Sequence, residues 1–286
     1  MNKEKIAIMV DSCTDVPKEY REKYNMYVIP LMIIYKDKEY YDGIDITPED
    51  VYARFAKEIP STSLPSPEIT YNTFKKIQAD GYKKVIVISI SSGLSNTYSM
   101  VSSTAKELEE LEICVIDTKN IGIGAGFSAI MAGELIEKGL DFKTVCQKVQ
   151  ENVEHTRIYF CVSTLEYLKK GGRIGLVTSI LGTALDLKPI ISCNEEGVYY
   201  TVAKVRGRVK SLKKAQELAV NMAKNYEKYN ITIMHGNAKE EADKIAEELK
   251  TLLPGVNVCV EGQITPALIV HTGPGLIGIG VQRVNW

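Results

Sequence analysis

Histidine is scarce in this 286-residue chain, three in all, and tryptophan occurs once. With so few imidazoles, and with neither H-E-x-x-H nor a paired-carboxylate motif, the sequence offers no seat for a metal-dependent hydrolase. Long hydrophobic runs are missing too. The first, Ile6 to Val10, stops at Asp11, too short for a signal-peptide core, and no later run approaches a membrane span, which favours the cytoplasm. Charge of one sign is also lacking: 35 Lys and Arg face 36 Asp and Glu, and a formal net charge of −1 supplies no global field for nucleic acid or an anionic membrane. The six cysteines (Cys13, Cys114, Cys146, Cys161, Cys193 and Cys259) show no C-x-x-C, and five lie in apolar runs or helical patterns. They read as packed thiols rather than a disulfide framework or metal site; Cys13, in the loop after the first strand, is the one to watch for reactivity.

What the chain does have is alternation. From Met1 to about Thr156, apolar runs rich in Ile and Val ("KIAIMV", "MYVIPLMIIY", "VIVISI", "EICVIDT") alternate with helical patterns. The helices carry start signals: Thr47 as N-cap with Pro48 and Asp50 following, then Ser66 as cap with Pro67 next and Gly81 as the stop. Such βαβ units predict a parallel sheet covered on both faces. Near residue 160 the pattern changes. "LKPIISCNEEGVYYTVAKVRG" predicts a hairpin turning at residues 194–197, followed by helix 208–228, a strand, helix 238–252, a strand, a short capped helix and a last apolar strand. Two domains are expected, 1–160 and 161–286, the second a mixed α+β unit.

In an open parallel sheet, ligands gather where strands end and helices begin. Three hydroxyl-rich loops fall at such places: "DSCTD" (11–15), "PSTSLPSP" (60–67) and "SSGLSNT" (91–97). Each is either a set of helix caps or part of a shared anion site made of hydroxyls, backbone N–H groups and helix N-termini. Asp11 and Asp15 read as caps before metal ligands. His155 follows a charged helix and is expected in solvent, and His235 ends a strand. His271 sits in "VHTGPGLIGIG", where apolar neighbours bury it and Gly273, Pro274 and Gly275 let backbone approach a ligand. It is the best candidate for a functional imidazole, a satisfied buried histidine being the alternative.

Ser95, between a strand and a helix, raises a second chemistry: hydrolysis of acyl esters with Ser95, His271 and either Asp186 or Asp243. Against it, Thr97 replaces the second glycine of a nucleophile elbow, no HGGG-type loop completes an oxyanion hole, and neither aspartate follows a strand. "NIGIGAGF" lacks the spacing of a dinucleotide loop, and its small residues predict close helix–sheet packing instead. The basic runs Lys169, Lys170, Arg173 and Lys204, Arg206, Arg208, Lys210 are either solvated faces or a docking surface for an acidic partner or a phosphoryl group.

Taken in order, "DSCTD", "STSLPSP", "SISSGLSNTY", "STLEYLKKGGRIG", "KPIIS" and "HTGPGLIGIG" span essentially the whole chain and resemble the DegV family of bacterial fatty-acid-binding proteins. The resemblance implies an N-terminal three-layer α/β/α domain with a parallel sheet and a C-terminal two-layer α/β domain with a mixed sheet. It also implies a long-chain, palmitate-like fatty acid in a tunnel between them, with no cofactor, no metal and no catalytic residue. By the same resemblance the carboxylate is held by Thr62, Ser95 and His271, with Ser61, Ser63, Gly93, Leu94, Asn96, Thr97, Thr272 and Gly273 in the supporting loops. Arg173 and Arg206 match positions that engage a separate ATP-dependent fatty acid kinase or the phosphoryl group, the carrier then holding the acyl-phosphate for phospholipid metabolism with room for transient membrane contact. Three positions depart from the family pattern: Asn96 for glycine, Leu64 for a polar residue and Gly175 for serine. Asn tolerates a left-handed conformation, so the first need not break the turn.

Overall fold

A computed structural model describes residues 2–180 and 186–286. The first half runs β1 (Ile6–Asp11), α1 (Lys18–Lys23), β2 (Tyr27–Ile29), β3 (Met32–Ile34), β4 (Glu39–Tyr41), α2 (Pro48–Arg54), β5 (Ser61–Ser63), α3 (Pro67–Ala79), β6 (Lys84–Ser89), α4 (Thr97–Ala105), β7 (Glu112–Asp117), α5 (Ile123–Glu137) and α6 (Phe142–Asn152). Strands β2, β1, β6 and β7 form a parallel sheet in that order. All six residues of β1 are buried, because helices cover both faces and leave no side of the strand for water. Phe74 and Ile77 of α3 and Val101 of α4 fill one face against Met9, Val85 and Val87. On the other lies α5, which is buried on nearly every side and packs against both β1 and β6.

The run "MYVIPLMIIY", expected as one strand, is two. Pro30 has no N–H to give a ladder, so the chain leaves the parallel sheet after β2 and re-forms as β3, which pairs antiparallel with β4 and β5 in a separate three-stranded sheet. Thr47 and Asp50 form a reciprocal capping box on α2 as the sequence predicts. Ser66 precedes α3, but its side chain caps nothing; its carbonyl accepts the Thr70 hydroxyl.

The second half runs β8 (Thr156–Cys161), α7 (Glu166–Lys170), β9 (Leu187–Cys193), β10 (Tyr199–Arg206), α8 (Arg208–Ala223), β11 (Lys228–Gly236), α9 (Lys239–Leu252), β12 (Val256–Gln263), α10 (Pro266–Thr272) and β13 (Leu276–Val284). Its six-stranded sheet has the order β10-β9-β8-β13-β11-β12, antiparallel throughout except for β11 beside β12. The expected division at 160/161 falls inside β8, whose pairing places it in this sheet. Helices α8 and α9 cover one face through Leu212, Ala219, Ile245 and Leu249. The opposite face turns toward α5, which therefore lies between the two sheets. In β13 the alternation "LIGIG" sends Ile277 and Ile279 to the helix-covered face. Gly278 and Gly280 go to the other, where a Cβ at 280 would come within 3.9 Å of Phe127 on α5.

Candidate functional site

Three elements deliver hydroxyls and an imidazole to one point. Thr62 is the middle residue of β5, opposite Ile33 of β3. His271 lies in the last turn of α10, and its Nε2 is 2.7 Å from Thr62 Oγ1. Burial, helped by the positive charge of Arg173, pushes the imidazole pKa down to about 4, so the ring is neutral at neutral pH. The other ring nitrogen, Nδ1, is buried without a partner among the described residues. It abuts Gly171, where any side chain would collide with it; the "GG" before Arg173 thus makes room for the ring.

Arg173 comes from the turn after α7. Its Nη1 donates to the Gly171 carbonyl at 2.7 Å and its Nε to the Leu94 carbonyl at 3.3 Å. A fixed cation therefore stands beside a neutral imidazole, a pairing suited to a carboxylate rather than to a proton shuttle.

Ser95 Oγ accepts the Thr97 N–H at 3.2 Å and lies 2.8 Å from Thr97 Oγ1, which ties it to the start of α4. Asn96 has φ −75°, an ordinary right-handed value, so the left-handed tolerance expected of it is not needed. The need for glycine lies at 93 and comes from another part of the chain. A Cβ there would stand 2.8 Å from the backbone of Glu196 and Gly197, at the tip of the β9–β10 hairpin. The Ser91 hydroxyl donates to the Gly197 carbonyl at 2.8 Å in the same contact.

Thr62, Ser95, Arg173 and His271 line a narrow cavity, together with Ser63, Thr272 and the largely apolar Cys13, Leu31, Leu64, Ile90, Leu94, Ile121, Tyr199, Ala267 and Leu268. A second narrow cavity shares Ile121, Tyr199, Leu268 and Thr272 with it and continues past Asp15, Ile123, Ile158, Phe160, Met234, Ile264 and Leu276. The two make a bore with a polar head and walls that are apolar except where Asp15 reaches the second cavity. Of the other expected residues, Ser63, Leu94 and Thr272 line the bore, whereas Ser61, Gly93 and Asn96 are exposed and Thr97 is buried against Ser95. Gly273 has φ +67° and passes against the Tyr167 ring. Arg206 ends β10, exposed and away from the lining.

A hydrolytic triad is not assembled. His271 meets Thr62 rather than Ser95, its Nδ1 has no carboxylate, Asp186 is exposed, and Asp243 pairs with Lys239 on the surface of α9. Cys13 is buried in the bore wall, and burial among carboxylates pushes its thiol well up, so it holds no reactive thiolate. His155 is half-buried against Tyr226 rather than free in solvent. Among the described residues no group of His, Cys, Asp and Glu is arranged to hold a metal ion, and no helix is long and apolar enough to cross a membrane.

A family model described as "Uncharacterised protein, DegV family" matches residues 5–284. A DegV domain-containing protein of Clostridium acetobutylicum is 42% identical over 98% of this chain and 99% of its own. The chain belongs to the DegV family. Among solved structures, a DegV family protein from Thermus thermophilus, described by its fatty acid binding, is similar with a TM-score of 0.92 at 26% identity over 99% of this chain and 100% of that one. A stearic acid-binding protein from Eubacterium ventriosum is similar with a TM-score of 0.88 at 29% identity over 97% and 98%. In this DegV chain the apolar wall of the bore carries no sequence motif: Leu31, Ile121, Tyr199 and Leu268 sit in runs that read as core. Gly171 was legible only as half of "GG", and nothing local in the sequence says that its neighbour is a histidine 100 positions on.

Proposed function

We propose that this DegV protein is a fatty-acid carrier. Its ligand is a long-chain acid whose carboxylate takes hydrogen bonds from Thr62 and Ser95 and the charge of Arg173, while the acyl chain lies along the bore. Neutral His271 donates from Nε2 to the Thr62 oxygen, which frees the Thr62 hydroxyl proton for the carboxylate. One observation carries the proposal: a cluster of polar groups with a fixed cation in a cavity that shares its wall with a second one, apolar but for Asp15 and Thr272. A saturated chain of about 14 methylenes gains on the order of 10 kcal/mol on burial at ~0.8 kcal/mol each, before ordering costs, so the head needs only a few fixed donors. The fatty-acid binding described for the Thermus and Eubacterium proteins supports it.

The carrier has no catalytic centre or cofactor of its own and acts in the cytoplasm. It presents the carboxylate to a separate ATP-using fatty acid kinase and then holds the acyl-phosphate; Arg206, on the surface at the end of β10, faces that partner. The test is to denature the purified protein and analyse the organic extract by mass spectrometry. A stoichiometric long-chain fatty acid is expected. Recovery of no lipid, together with no uptake of added stearate, refutes the proposal.

A further inference from the structure

Three aspartates of the "DSCTD" loop and the turn after β4 are buried beside the site: Asp11 and Asp42 line neither cavity of the bore, and Asp15 reaches the wall of the apolar one. Asp15 Oδ1 accepts the Thr265 N–H at 3.0 Å, and Asp42 Oδ1 accepts the Ala267 N–H at 2.9 Å. These bonds reach across 250 and 225 residues to the first turn of α10. Asp11 Oδ2 accepts the Ile90 N–H at 2.8 Å at the end of β6, just before the loop that carries Ser95.

Helix α10 does not cap itself. Its N-cap Thr265 makes no side-chain cap bond, so the free N–H groups of the first turn depend on the two aspartates. A carboxylate is well placed there, because helix N-termini carry partial positive charge. Ala267 and His271 are four residues apart, on one face of the helix and about 6 Å along its axis at 1.5 Å per residue. The helix is just under two turns long and packed on nearly every side, so a shift at Ala267 is passed to His271. Asp42 also sits beside the small sheet that carries Thr62: its own N–H donates to Leu31, the residue before β3.

We propose that Asp15 and Asp42 are positioning residues for carboxylate binding: by gripping the first turn of α10 they set where His271 meets Thr62. The proposal rests on the fatty-acid reading of the site and extends it to residues outside the polar head, Asp42 away from both cavities and Asp15 in the wall of the apolar one.

Three variants test it. Asp42→Ala removes the acceptor, Asp42→Asn keeps an oxygen there, and Ile77→Ala lowers stability in the core beneath α3, on the far side of the parallel sheet. Affinity for an anthroyloxy-labelled stearate is measured well below each unfolding midpoint, and the ring nitrogen resonances of His271 are followed by NMR without ligand. Expected for Asp42→Ala is a loss of ~10-fold or more, the equivalent of one charge-assisted hydrogen bond, with displaced His271 resonances. Asp42→Asn stays within ~3-fold, as a neutral acceptor retains part of the bond. Ile77→Ala leaves both readouts unchanged. Wild-type affinity and unmoved resonances in Asp42→Ala overturn the proposal, as does an equal loss in Ile77→Ala. Should Asp42→Ala not fold, Asp15→Ala, which removes the acceptor of the Thr265 N–H, decides by the same two readouts: weaker binding with displaced His271 resonances supports the proposal, and wild-type affinity with unmoved resonances overturns it. If the wild type binds no fatty acid, the carrier function falls, while the resonances still report whether Asp42 positions His271.

Discussion

At the scale of single residues, the site depends on what is kept neutral and what is kept small. His271 stays unprotonated because its ring is buried beside Arg173. Gly171→Ala puts a methyl group into Nδ1 of that ring and should weaken stearate binding by ~10-fold or more, since the lost Thr62–His271 geometry costs about one hydrogen bond to a charged ligand; titration with labelled stearate checks it. The buried aspartates behave in the opposite sense to the histidine. Burial, the largest cause in each, pushes Asp11 up to about 7, Asp15 to about 8 and Asp42 to about 6, from an ordinary value of 3.8. Between those limits the folded chain holds protons that the unfolded chain gives up, so stability falls as pH rises through this window. His271 opposes the trend below its ordinary 6.5, where the unfolded ring binds a proton and the folded one does not. Above that pH the histidines, His155 and His235 included, no longer oppose the carboxylates. The melting temperature should therefore decline from pH 6.5 to 8.5, and Asp15→Asn, which fits the φ of +50° and keeps an oxygen for Thr265, should flatten the decline in a thermal scan.

At the scale of elements, α5 is the piece on which both sheets rest. Its glycines are needed for close approach: a Cβ at Gly124 or Gly126 would run into the Asn120 side chain or the Thr14 carbonyl. "NIGIGAGF" was read from sequence as packing rather than phosphate binding, and the packing is what the structure holds. Gly126→Ala should destabilise the fold by about 1–3 kcal/mol through overpacking against backbone, measured by urea unfolding. Most strands and helices were legible because the parallel sheet demands unbroken apolar runs and the helices carry caps. The small sheet of β3, β4 and β5 was not legible. Each strand has three residues, too few for a period to register, and β5 is the hydroxyl triplet Ser61–Ser63, which reads as loop. The motif residues Thr62, Ser95 and His271 could be named from sequence through their resemblance. The bore could not, because an apolar side chain facing a cavity has the same sequence signature as one facing a core.

At the scale of the whole molecule, the two halves meet over the bore, and the two arginines of the resemblance part company. Arg173 lines the polar head, and Arg206 stands on the outer surface. On the proposed partnership with a fatty acid kinase, Arg206→Ala should leave stearate affinity within ~2-fold, as expected of an exposed side chain away from the bore, yet reduce phosphorylation of added stearate by such a kinase. Arg173→Ala should lower affinity itself, since it removes the charge beside the carboxylate. Lipid titration followed by a coupled kinase assay separates the two, and equal loss of affinity in both variants would remove Arg206 from the partner surface.

The contact between Thr62 and His271 joins residues 209 positions apart, and the Ser91 hydroxyl reaches a carbonyl 106 positions further on. During synthesis from the N-terminus, all four strands of the parallel sheet emerge before His271, so the polar head is assembled only after α10 has been made. A chain cut before α10 therefore keeps Thr62 and Ser95 but lacks the imidazole that meets Thr62.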